Sequence, residues 1–227
     1  MPNTNDTIAA VRDAYRLIHG YQSAVLQIVD KAKRCFDTPA YWEWQPTNGS
    51  QPTQRTCPVA NHSPASFEPL LWSEFYYTSR PCTEPLQPGE RAVAIFHNGD
   101  TEFAQEEGGV YELTSNDKIP LASSTATSEL GIAVIVNLAG ESLNWQEIYE
   151  RWSNTDNMYP TLAIGQRPQG YKQAGQMNEW LLERPENIKP GHTLQVVAAV
   201  SRMEDMATSG EIDAFLSRLH ERVERLS

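Results

Sequence analysis

Nine of the fifteen prolines in this 227-residue chain crowd into one quarter of it, at positions 39, 46, 52, 58, 64, 69, 81, 85 and 88. Each proline removes a backbone donor and fixes φ, so no long helix can run through residues 39–89 and any central strand there is interrupted. The same span holds Tyr41, Trp42, Trp44, Phe67, Trp72, Phe75, Tyr76 and Tyr77. A solvated linker would not carry so many aromatic rings. The expectation is an irregular wrap on the core, pinned by aromatic anchors, with a short element near Leu70 to Tyr77. Rings lining a ligand or carbohydrate groove are the alternative. Packing anchors are favoured, because aromatics dominate core energetics.

To the N-terminal side, residues 1–38 read as one amphipathic helix over Asp6–Phe36. Ile8, Val11, Tyr15, Ile18, Val25, Val29, Ala32 and Phe36 recur at 3-4 spacing, with polar Gln22 at the one remaining seam position. Asn5 or Asp6 can cap its start, and Thr38-Pro39 ends it. Such a seam suits a homodimer. The favoured reading is a helix covering the protein's own core, because the flanking positions lack charge pairing.

To the C-terminal side, residues 90–227 alternate strand and helix signals. Arg91–His97, Gly131–Leu138 and Thr193–Val200 are apolar strands, Gly109–Thr114 and Thr161–Ile164 are shorter ones, and Asn98-Gly99 is a hairpin signal returning toward Phe103. Helices are expected over Leu143–Trp152, Ala174–Leu182 and from Thr208, whose spacing to Glu211 fits a capping box. Gly131–Leu138 is continuously apolar, as in a strand buried on both faces, and the alternation suggests right-handed crossovers. The fold class expected is therefore α/β (or α+β): a mixed, mainly parallel sheet flanked by helices. The three regions, 1–38, 39–89 and 90–227, are expected to share one compact domain.

Charge narrows the function classes. Residues 92–150 hold ten acids against Lys118 as the only base, so −9 of the formal −11 sits in 59 residues. That balance disfavours nucleic acid, which needs clustered Lys and Arg, and disfavours anionic membranes. The longest apolar run, Ile132–Val136, is far too short to span a bilayer. The N-terminus lacks a basic start and an apolar segment, so no secretory signal is expected. Cys35, Cys57 and Cys82 are odd in number and widely spaced, which points to reduced thiols and the cytoplasm.

No complete catalytic or cofactor motif is present, and no cofactor is expected. Cys57, His62, Cys82 and His97 are zinc-ligand types, but Cys82 and His97 are too far apart for the usual tight pairs. His220-Glu221 opens like a metalloprotease helix without the second His. Asp100, Glu102, Glu106 and Glu107 lack the spacing of a calcium loop. No metal site is expected.

Two function classes remain. The first is a non-enzymatic binding module (inhibitor, immunity-type or adaptor protein) whose electronegative surface docks a basic protein partner. Its candidate residues are Asp100, Glu102, Glu106, Glu107, Glu112 and Asp117. The second is a hydrolase with a site beyond the strand carboxyl ends, where His97, Asn137 and Arg202 would converge if the sheet is parallel.

Overall fold

The computed structural model describes residues 4–46, 72–81, 83–99, 127–139, 142–144, 172–174, 179–189 and 192–225. Helix α1 runs over Thr4–Cys35. Among the described residues seven strands follow: β1 Ala40–Pro46, β2 Trp72–Thr78, β3 Arg91–Asn98, β4 Glu129–Ala139, β5 Lys172–Ala174, β6 Glu179–Lys189 and β7 His192–Arg202. A 3-10 turn at Met203–Met206 leads into helix α2, Ser209–Glu224.

Every strand pairing is antiparallel, in the order β1-β2-β3-β4-β7-β6-β5. The mainly parallel sheet expected from the sequence is thus incorrect. A continuous apolar run reports burial on both faces, and here antiparallel strands are buried on both. Cross-strand partners share a face. On one face lie Phe75, Ile95, Ile132 and Ala199, in register, with Val93, Val134 and Val197 in the next row. Val25, Ile28, Val29, Ala32 and Phe36 of α1 and Phe215, Leu216, Leu219 and Val223 of α2 pack on that face. The opposite face carries Tyr76, Ala94, Ala133 and Ala198 in one row, all buried as well.

Several local expectations also change. The helix expected over Ala174–Leu182 is the end of β5 and the start of β6. Pro185, read as a helix stop, sits in β6 beyond the three residues that pair with β5, an edge position where a missing N–H costs little. β3 is bonded along both edges, by β2 and β4. Within 39–89, β2 falls on the short element expected near Leu70 to Tyr77, β1 replaces the irregular wrap over residues 40–46, and residues 47–71 lie outside the described residues. β1 ends the strand order, and Pro39 and Pro46 stand at its limits, where proline is tolerated. Leu143, placed in a helix by its sequence, forms an isolated bridge with Leu86. The other expected elements, at 103, 109–114, 145–152 and 161–164, lie outside the described residues.

Both helix ends follow from their sequences. Asp37 takes a positive φ of 52°, Asp37 N bonds Arg34 O at 3.3 Å and Thr38 N bonds Lys33 O at 2.9 Å, closing the last turn of α1. Thr208 caps α2: its hydroxyl accepts from Glu211 N, while Thr208 N donates to the Glu211 carboxylate at 2.8 Å. In mid-α1, Gly20 has nothing within 4 Å of where a Cβ would stand. Gly20→Ala should therefore stabilise the protein by about 1 kcal/mol in urea unfolding. Unchanged stability would mean that the preceding part of α1 is frayed.

Candidate functional site

The six acids proposed for partner docking, Asp100, Glu102, Glu106, Glu107, Glu112 and Asp117, lie outside the described residues, as do Cys57, His62 and Cys82. Of the ten acids between residues 92 and 150, Glu129 alone lies inside them, and it is buried in the sheet at 9 % exposure. Burial pushes its carboxyl up to about 7 against a weak hydrogen bond from Thr127 and the positive charge of Arg202, with Glu204 adding to the rise. Glu129 therefore contributes no full charge to a surface at neutral pH.

The three residues offered for a hydrolase do not converge. Antiparallel pairing puts successive strand carboxyl ends at opposite ends of the sheet. Asn137 lies at the end next to Glu90, where its backbone N–H bonds Glu90 O and its side chain donates to Leu86 O at 3.1 Å. His97 and Arg202 share the other end, but on different faces. His97 is in register with Leu130 and hence Ser201, whereas Arg202 pairs with Glu129, the partner of Asn98.

Two polar groupings take their place at that end of the sheet. On the helix face, buried His97 shares a 2.7 Å hydrogen bond between its Nε2 and the Tyr21 hydroxyl of α1. Desolvation holds the imidazole down to about 4 and raises the Tyr21 phenol, so both are neutral at physiological pH. Tyr21 borders a cleft of about 400 Å³ lined also by Ile28, Lys31, Ser128, Glu204 and Ile212; His97 stands behind it. Lys31 is held there by Asp213 at 2.5 Å and by Ser209 Oγ at 2.8 Å. On the other face, Glu74 is buried at 3 % exposure and accepts a hydrogen bond from the Tyr76 hydroxyl, in a row beside Asn98 and Glu129. Sequence reasoning missed Glu74, Tyr21 and Ser128. In WSEFYYT the alternation Glu74, Tyr76, Thr78 reads as a solvent face, and only the burial of the second face brings it inside.

Elsewhere seven bases among the described residues pair with carboxylates. Arg16 pairs with Asp13, Lys31 with Asp213, Lys33 and Arg34 with Asp30, Arg80 with Glu84 and Glu90, Arg91 with Glu224, and Arg225 with Glu221. Exposed pairs of this kind add little stability, about 0–1 kcal/mol each. Their relevance is charge balance, because none of these acids belongs to the 92–150 run. Among the described residues no group of three His, Cys, Asp or Glu side chains comes together to hold a metal, and no helix is long and apolar enough to cross a membrane.

A family model described as PM0109 matches residues 1–225. No curated protein and no solved structure matches the chain.

Proposed function

We propose that this chain, which belongs to the PM0109 family, is a non-enzymatic binding protein whose acidic stretch docks a basic protein partner. One observation carries the reading: −9 of the formal −11 lies between residues 92 and 150 with Lys118 as the only cation. The ion pairs found elsewhere strengthen it, since seven described bases already face carboxylates from outside that stretch. Concentrated like charge raises the encounter rate with a basic surface, and salt screens the effect. An inhibitor, immunity-type or adaptor protein uses such steering. Three widely spaced cysteines suit the reducing cytoplasm as its setting.

The test is co-purification followed by association kinetics on the captured protein. A basic protein should be recovered, and its association rate should fall about tenfold or more between low and physiological salt. Neutralising Asp100, Glu102, Glu106, Glu107, Glu112 and Asp117 to their amides should slow association similarly while leaving folding intact. Association indifferent to both salt and the amide variant would refute the role.

A further inference from the structure

The stripe along α1 changes partner halfway. Val25, Val29, Ala32 and Phe36 are 0–3 % exposed against the sheet, yet Ile8, Val11 and Tyr15, on the same seam, are 50 %, 49 % and 67 % exposed. Gly20 and polar Gln22 stand at the boundary, while the apolar residues on either side keep the same 3-4 spacing. A helix half that presents this seam to water, and is already ordered by its anchored half, avoids the nucleation cost that makes isolated helices of this length marginal.

We infer that the first half of α1 is a homodimerisation seam, docking antiparallel against the same segment of a second copy. Three arguments select that occupant. The seam extends, in the same 3-4 register, one that the protein already uses to pack its own core. Residues 4–20 carry Asp6 and Asp13 against Arg12 and Arg16, so two copies of this segment meet without net repulsion although the chain as a whole is at −11. The antiparallel direction follows from that same excess. With the two-fold axis at Asp13, Ile8 faces Ile18 of the second copy and Val11 faces Tyr15. At 1.5 Å rise per residue, the two Val25 positions then lie about 36 Å apart, several screening lengths of about 8 Å. A parallel pair would bring the two β3–β4 connections, each carrying six acids against Lys118 in its sequence, to the same end. Ala14 beside the axis is small enough for close approach, and the two Arg12 side chains flanking it are long enough to splay apart.

The interface is small, so a dissociation constant on the order of 10 µM is expected. Sedimentation velocity across that range should show the wild-type mass doubling with concentration. Val11→Asp should remain monomeric throughout, with helicity by circular dichroism unchanged because the site is exposed. Leu17→Asp is the control: Leu17 is 75 % exposed but off the seam, so this variant should dimerise like wild type. For direction, mixing an Ile8→Cys chain with an Ile18→Cys chain should give a cross-linked pair under oxidation that neither gives alone. High salt should preserve or strengthen this dimer, the reverse of acidic docking, so the two proposals fail independently. A monomeric wild type at about 200 µM, equal effects of Val11→Asp and Leu17→Asp, or binding of α1 to neutral lipid vesicles by a chain that stays monomeric would each overturn it.

Discussion

Phe36→Ala is expected to lower folding stability by about 3–5 kcal/mol, a large share of what a domain of this size possesses. Phe36 is fully buried at the end of α1, part of the cluster that includes Leu219 and Val223, and its ring stacks on His220 at a centroid separation of 6.0 Å. Truncation removes the ring's transfer free energy and leaves a cavity between two helices and a sheet that the closed helix end cannot easily fill. Tyr15→Ala, on the same stripe, should shift the monomer's stability by no more than about 0.5 kcal/mol, because the ring is exposed. Urea unfolding of the two variants at low protein concentration makes the comparison. If both cost about the same, the division of α1 into an anchored and a free half is wrong. The contrast also dictates where the chain can be cut: removing residues 1–38 strips a layer of the core, so it cannot serve as a probe of assembly.

Local periodicity made the elements legible, and direction was not. α1 and α2 carry a 3-4 period, β3, β4 and β7 are short continuous apolar runs, and the Thr208–Glu211 capping box needs only two residues at fixed spacing. Strand direction has no such signature. Gly131–Val136 is apolar because Ile132 and Val134 face the helices while Ala133 and Ile135 are buried on the opposite face, and either sheet type would demand that. Ala174–Leu182 was misread for a related reason: Trp180, Leu181 and Leu182 are too short a run to separate period 2 from period 3.6.

The candidate site was less legible, since chemistry on a sheet depends on which residues share a face and an end. His97 and Arg202 stand one register step apart, and that single step puts them on opposite faces. The Tyr21–His97 contact joins residues 76 apart in sequence, which no spacing rule anticipates. Charge asymmetry remains legible without coordinates because it is a property of composition alone.

Glu129→Gln is expected to raise stability at pH 8 by up to about 3 kcal/mol and to change nothing at pH 4. In the native chain the Glu129 carboxyl titrates at about 7, against 4.5 when solvated. The folded state thus holds its proton more tightly than the unfolded state, and stability is lost as pH rises from 4.5 through 7. His97 works in the opposite direction. Its imidazole titrates at about 4 against 6.5 when solvated, so stability is complete above 6.5 and is lost as pH falls through 4. Between roughly pH 4.5 and 6.5 the two slopes oppose each other, and the native chain should show a nearly level stability there. Removing the carboxylate exposes the histidine slope: the Glu129→Gln chain should gain stability steadily from pH 4 to 6.5 and then hold it. Denaturant unfolding across this range reads both curves. The explanation depends on two polar groups sealed on opposite faces of one sheet end, so superimposable profiles would show that water reaches Glu129 and that this end of the sheet is open.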